Sequence, residues 1–321
     1  MITRYGKRDY VDVMTETATP DLAVVIVSWN VRDLLAVCLR SLFADVGQTR
    51  DLPLLQVWVV DNSSADGTPD MLAELFPTVH LIASQENLGF VRANNLALRT
   101  ISQSPKYIWL LNPDTEVLPG ATSALIAALE AHPQAGAAGA KLLYPDGSFQ
   151  HSAFHFPGMG QLIFDLFPLP ARLYDTFLNG RYPRHLYEGT EPFPVDHPLG
   201  AAMMVRAETI TDVGLLDEDF WMYCEEIDWC WRMRRAGWRS LCAPAARVIH
   251  HAGQSSGQVR IPSFVNLWSS RAKLYARYHG PVVRRLARLL VRVGMRRQMR
   301  DAAPEMVAAC RRVIQAWEKV Q

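Results

Sequence analysis

Three groups of side chains have types and spacings that could do chemistry. The run Tyr107-Ile-Trp-Leu-Leu-Asn-Pro-Asp114 ends a short apolar stretch on a carboxylate, Glu225, Glu226 and Asp228 crowd into one turn's worth of chain, and Val248-Ile-His250-His251 ends on two imidazoles. A carboxylate beside a neutral imidazole is a donor set for a divalent cation such as manganese or magnesium, so Asp114 and His250 are candidate metal ligands. Three carboxylates so close repel one another, which can lift one pKa into the range of a general base. Each group also has a purely structural reading. Asn-Pro-Asp is a turn signal, acidic residues suit a helix N-terminus, and an isolated histidine is commonly structural. Cys224, Cys230, Cys242 and His250 could in principle hold zinc, but their spacing is irregular.

The elements that would position these groups follow from periodicity. Ala23-Val-Val-Ile-Val27 is β-branched and too short for a typical helix, so it reads as a buried strand, with Asn30 capping a helix over 31 to 43. The unit repeats: a strand over 55 to 60 stops at Asp61, Thr68-Pro69 opens a helix, and a third strand fits 79 to 83. Asn87 then breaks the pattern, a helix carries Ala93, Leu96, Ala97 and Ile101 on one side, and a fourth strand spans 107 to 111. Another helix opens at Pro119 and a strand runs from about 137 to 144. Alternation of this kind implies an α/β fold with a mostly parallel, Rossmann-like sheet flanked by helices. Parallel strands present their carboxyl ends along one edge, where ligands bind. Asn30, Asp61, Asn87 and Asp114 each follow a strand and should converge there.

The second half is less regular. Residues 151 to 195 mix aromatic residues, prolines and arginines without a clear period, as expected of a wall against which a second substrate docks. Gly200-Ala-Ala202 opens a strand with side chains small enough for close approach. A helix from Glu225 to Gly237 would carry the acidic group in its first turn.

Composition narrows the class. With 321 residues, 49% hydrophobic and 20% charged, the chain is globular, and 33 Lys+Arg against 32 Asp+Glu gives no reason to expect nucleic acid as a partner. Five cysteines without paired spacing argue against a disulfide framework. The N-terminus lacks a secretory apolar core, so a cytoplasmic location is expected.

The ordered motifs Val25-Ile-Val-Ser-Trp-Asn30, Val59-Val-Asp-Asn-Ser-Ser-Ala-Asp-Gly67, Asn87-Leu-Gly-Phe-Val-Arg-Ala-Asn-Asn95, Leu110-Leu-Asn-Pro-Asp114, the stretch 214 to 232 and His250 resemble a family 2 glycosyltransferase of GT-A fold, of the bacterial rhamnosyltransferase-like kind. The resemblance implies that Asp61 binds the nucleotide base and that Ser28 and Asn30 frame the nucleotide. It implies that Asn87, Arg92, Asn94 and Asn112 line the nucleotide and diphosphate, and that Asp114 with His250 holds a divalent cation, Mn2+ or Mg2+. Glu226 falls at the catalytic base, with Glu225 and Asp228 as neighbouring candidates, and Gly200, Trp221 and Tyr223 fall on the acceptor side. Asn112 replaces the first acid of the family's metal motif, and Glu226 is one methylene longer than the usual aspartate. The implied reaction is inverting transfer from a dTDP- or UDP-linked sugar to a hydroxyl of a glycan or lipid-linked acceptor.

The expected organisation is a flexible tail over 1–20, a transferase domain over 21–260 with a nucleotide-sugar half at 21–135 and an acceptor half at 136–260, and a helical extension over 261–321. Residues 281–300 interleave aliphatic residues with arginines, too charged to span a bilayer but suited to an anionic membrane surface at the cell membrane's inner face. Two rival functions are weaker. A nucleotidyltransferase would want a Gly-rich, basic loop after the first strand, where Ser28-Trp-Asn30 stands, and a non-catalytic nucleotide-sugar binder would have no need of Glu226.

Overall fold

The computed structural model describes residues 21–47, 55–101, 105–254 and 256–319; the expected tail over 1–20 lies outside them. In chain order the first elements are β1 (Leu22–Ser28), α1 (Arg32–Gly47), β2 (Leu55–Asp61), α2 (Thr68–Leu75), β3 (His80–Ala83), α3 (Gly89–Thr100), β4 (Tyr107–Leu111), β5 (Thr115–Val117), α4 (Ala121–Ala131) and β6 (Ala135–Leu143). There follow β7 (Phe149–Gln150), β8 (Ala153–Phe154), α5 (Met159–Leu166), β9 (Phe193–Val195), β10 (His197–Pro198), β11 (Ala202–Arg206), α6 (Ala207–Val213), α7 (Glu225–Arg235) and β12 (Arg239–His250). Helices α8 (Arg260–Tyr278), α9 (Pro281–Gln298) and α10 (Pro304–Glu318) complete the described chain.

The main sheet runs β3-β2-β1-β4-β11-β6-β12-β5. Strands β1 to β4 pair in parallel, and β6 and β12 run with them, while β11 is antiparallel between β4 and β6. The sheet is therefore mixed although most of its strands share one direction. The exits of β1, β2, β4 and β12 lie along the same edge, and the start of β11 meets them there.

β1 is buried at every position, and its alternation feeds two cores. Val24 and Ile26 pack with Leu35, Leu39 and Leu42 of α1, whereas Val25 and Val27 join Val91 and Ala97 of α3 and Trp229 of α7. Asn30 does not cap α1 as expected. It sits in the left-handed region at φ 51, its Oδ1 accepts the N–H of Ala65 at 2.8 Å, and Asp66 takes over at α1 by accepting the N–H of Arg32 at 2.8 Å. The loops after β1 and β2 are thereby stitched together.

Residues 151 to 195, aperiodic in sequence, fold into β8, α5, three 3₁₀ turns at Ala171–Leu173, Phe177–Asn179 and Arg184–Tyr187, and β9. Their order comes from aromatic packing, with Tyr187 edge-on to Phe149 and Phe193 at ring separations of 4.8 and 5.1 Å. Helices α8 to α10 share a further core with α5, built on Trp268, Tyr275, Val291, Met295 and Trp317. At Gly294 an added Cβ would come within 2.6 Å of Leu166, so the α9–α5 crossing requires glycine.

Helix α9 has two apolar sides. Ala287, Val291 and Met295 are buried, but Val282, Leu286, Leu289 and Val293 form a second, exposed stripe at helical spacing. Among the described residues no helix is long and apolar enough to cross a membrane.

Candidate active site

The exits of β1, β2 and β4 and the loop before α7 enclose a cavity of about 340 Å³ lined by Val27, Trp29, Asn62, Asn87, Asn112, Asp114 and Trp221, among others. A second cavity of about 360 Å³ begins at the next residue of the same turn: Met222 lines the first and Tyr223 the second. Glu226 opens into this second cavity together with Leu199, Arg181 and Arg271.

Next to Val27 and Asn62, which line the first cavity, Ser28 and Asp61 end paired strands in register and are buried. Asp61 Oδ2 accepts the N–H of Ser64 at 3.2 Å, but Asp61 Oδ1 and Ser28 Oγ are buried without a partner. Buried polar atoms seldom stay unpaired, so both fit a ligand that brings its own donor and acceptor, as a nucleotide base would. Asn62, which sequence reasoning passed over, ties this wall together. Its Nδ2 donates to Asn87 Oδ1 at 3.0 Å and to the carbonyl of Gly89 at 3.2 Å, and its Oδ1 accepts the N–H of Leu88 at 2.7 Å. The signal available was its position directly after Asp61 at the strand exit.

Gly89 is a second residue whose role emerges only in three dimensions. At φ 77, with a hypothetical Cβ only 2.7 Å from the Trp221 ring, it lets the indole close over the loop, and the Trp221 carbonyl accepts the N–H of Phe90 at 3.0 Å. Trp221, expected on the acceptor side, thus lines the cavity of Asp114, while Tyr223 lines that of Glu226. Arg92 and Asn94 are not brought to the cavity wall. Arg92 faces outward 3.9 Å from Glu218, and Asn94 is buried with Nδ2 donating to the Phe90 carbonyl at 2.9 Å.

Asp114 lines the first cavity, and its Oδ1 lies 3.5 Å from His250 Nε2, with each side chain only 8% exposed. The imidazole is held from behind by Gln150 Oε1 at 3.2 Å from Nδ1, and the backbone is fixed by the N–H of His251 donating to the Asp114 carbonyl at 2.9 Å. A separation of 3.5 Å is loose for a direct hydrogen bond and compatible with two ligands of one ion. Among the described residues no group of three or more His, Cys, Asp or Glu is placed to hold a metal. A carboxylate and an imidazole fit a divalent cation whose remaining ligands are substrate phosphates and water. The cysteines are buried and free, with no zinc cluster among the described residues.

The acidic group divides its labour. Tyr223 and Cys224 both adopt left-handed backbone, at φ 69 and 68, a strained pair that turns the chain sharply into α7. Glu225 is buried, and burial followed by repulsion from Glu226 raises its pKa well above the ordinary carboxylate range. Burial lifts Glu226 to about 7. Glu225 Oε2 and Glu226 Oε2 have no hydrogen-bond partner. Gly200 borders Glu226, where an added Cβ would lie 3.5 Å from Glu226 Cβ. Asp228, the third candidate base, is unavailable. It is fully buried, with Oδ2 accepting from Arg232 Nε at 2.8 Å and Oδ1 from Arg277 Nη1 and the Tyr278 hydroxyl at 2.7 Å each. It braces α7 against α8, and sequence could not show this because the partners lie about 50 residues downstream.

One sheet edge thus brings Asp61, Asp114 and His250 together with the turn that leads into Glu225 and Glu226. The Glycosyl transferase family 2 model matches residues 23–208. The chain is 32% identical over 235 residues to an N-acetylglucosaminyl-diphospho-decaprenol L-rhamnosyltransferase of Mycobacterium tuberculosis, covering 68% of this chain and 74% of that protein. Among solved structures, a mannosyltransferase of Pyrobaculum calidifontis in complex with GDP-Man and Mn2+ aligns over 95% of this chain and 86% of its own, at 16% identity and a TM-score of 0.53. GalNAc-T7 with UDP, GalNAc and Mn2+ aligns over 72% of this chain and 43% of its own, at 16% identity and a TM-score of 0.55. These two show the fold alone.

Proposed function

Because the chain belongs to glycosyltransferase family 2, we propose that it transfers a sugar, rhamnose from dTDP-rhamnose being the first candidate, to a hydroxyl of a lipid-linked glycan acceptor with inversion at the anomeric carbon. The observation that carries the reading is a pair of cavities lined by consecutive residues of one turn, one holding Asp114 with His250 3.5 Å from it and the other holding Glu226, whose pKa burial lifts to about 7. In this reading Asp61 and Ser28 receive the base, and Asn87 and Asn112 border the sugar nucleotide. Asp114 and His250 would hold a divalent cation, which when bound supplies charge neutralisation to the departing nucleoside diphosphate. Glu226 takes the proton of the acceptor hydroxyl through Oε2 as that oxygen attacks, so the carboxylate must be ionised at the start of each turnover. Glu225 stays protonated beside it, so the pair carries one negative charge and not two.

The test is to offer a panel of nucleotide sugars with manganese and a short-chain N-acetylglucosaminyl diphosphate lipid, following nucleotide release and product stereochemistry. Transfer from dTDP-rhamnose, lost with EDTA and restored by Mn2+ or Mg2+, is expected. Undiminished transfer in EDTA would remove the cation from the scheme, and transfer only from another donor would remove rhamnose.

The exposed stripe of α9, flanked by Arg285 and Arg296, supports contact with an anionic membrane surface, the place of a lipid-linked acceptor. Replacing Val282, Leu286, Leu289 and Val293 with serine should abolish co-flotation with phosphatidylglycerol vesicles; retained flotation would exclude α9 as the anchor. Substitution is a cleaner test than truncation at His279, which would also strip Trp317 from its buried place beside Trp268 and Tyr275.

A further inference from the structure

The Glu226 cavity is lined by two arginines as well as by the carboxyls of Asp165 and Glu226, and one of the arginines pairs with neither carboxyl. Arg181 and Arg271 both line it, with Gln161, Asn179 and Tyr174 nearby. Arg271 is paired, its Nη1 2.7 Å from Asp165. Arg181 has no ion pair among the described residues, and its Nε is buried without a hydrogen-bond partner. The residue is held by a backbone bridge to Phe154, with the guanidinium 5.8 Å from that ring. An unpaired guanidinium with a buried, unsatisfied N–H is costly unless a ligand completes it. Its planar fork matches the oxygens of a phosphoryl group.

A second observation points to where that ligand comes from. Arg181 lies three and four residues after Leu178 and Phe177, whose side chains are 58% and 72% exposed. The same short segment therefore carries an exposed apolar tip and the cation facing the cavity. This is the order of parts that an acceptor with a lipid tail, a phosphoryl linker and a sugar would meet.

We propose that Arg181, assisted by Arg271, forms a subsite for the phosphoryl groups linking the acceptor sugar to its lipid. The inference rests on the reading of the Glu226 cavity as the acceptor site. It makes the diphosphate, and not only the acceptor sugar, a determinant of substrate choice.

The test compares binding of two probes to the full-length protein by calorimetry: a short isoprenyl diphosphate sugar and the same isoprenyl sugar without phosphates. The wild type should bind the first at least tenfold more tightly. Arg181→Ala should erase that preference without weakening the phosphate-free probe. Arg181→Lys keeps the charge but not the fork and should retain part of the preference, which also guards against a folding defect in the alanine variant. Equal binding of the two probes by the wild type, or an unchanged preference in R181A, would overturn the subsite. So would displacement of the diphosphate probe by saturating dTDP, since the arginines would then serve the donor. Because the readout is binding, a wild type that transfers no sugar would sink the proposed reaction independently of the subsite.

Discussion

The two cavities differ in how their polar groups are satisfied. Around the first, loops from different strands hydrogen-bond one another: Asn30 to Ala65, Asp66 to Arg32, and Asn62 to Asn87, Leu88 and Gly89. Around the second, chemistry-bearing atoms are left open: Glu226 and Arg181, which line it, and Glu225, the residue before Glu226, each hold a buried atom without a partner. The backbone there is also strained at Tyr223 and Cys224. A cross-linked cradle suits a donor that must be held in one pose. Open polar groups on a strained turn suit a step in which a proton moves, because the cost of burying the groups is recovered when substrate completes them. Asp61 Oδ1 and Ser28 Oγ, beside the first cavity, break the pattern; in the proposed reading the nucleotide base completes them.

The largest effect that should separate the cavities is at Glu226. Glu226→Gln should lower kcat by roughly 10²- to 10⁴-fold while leaving the donor Kd unchanged, the range expected for a general base. If Glu225→Gln alone is inactive and E226Q is not, the roles of the two carboxyls are exchanged. The pH dependence follows from the raised pKa. Transfer needs the ionised form, so wild-type kcat should rise about tenfold per pH unit up to a pKa near 7 and level off above it. Stability should run the other way. Between the unfolded value near 4.5 and the folded value near 7 the native state binds the extra proton, so stability falls as pH rises through that window. E226Q removes this penalty and should be more stable than wild type above pH 7, by at most about 3 kcal/mol. Thermal melts at pH 5 and pH 8 would check the sign, and an E226Q advantage confined to pH 5 would contradict it.

The same contrast explains what could be read from sequence. β1, β2 and β4 announce themselves by buried apolar runs, and strand exits in a parallel sheet converge by topology, so the placement of Asn30, Asp61, Asn87 and Asp114 along one edge was legible from order alone, whereas Ser28 and Asn112 came only with the family resemblance. The first turn of α7 was equally legible in Glu225 and Glu226. What sequence could not carry was pairing across long separations. Asp228 reads as a candidate base until Arg277 and Tyr278 of α8 close on it. Arg92 reads as a phosphate ligand until α3 turns it toward Glu218. Arg181 lies in the aperiodic segment ordered by aromatic contacts, where no period marks a side as inward.

The smallest effect tests the cradle itself. Asn62→Ala deletes three hydrogen bonds of a buried side chain and leaves the N–H of Leu88 and the carbonyl of Gly89 to find water. A loss of about 1–3 kcal/mol is expected if those groups stay unpaired. Asn62 touches the cavity wall but no group assigned to proton transfer, so the loss should appear as weaker donor binding with kcat little changed. At 1.4 kcal/mol per tenfold, the donor Kd should rise roughly 5- to 100-fold. The opposite split, kcat reduced and donor Kd intact, would mean that the loop carrying Gly89 acts through Trp221 on the turn ahead of α7, to which the Phe90 N–H connects it. The two cavities would then be one mechanical unit, and the separation between a rigid donor cradle and a reactive acceptor turn would fail.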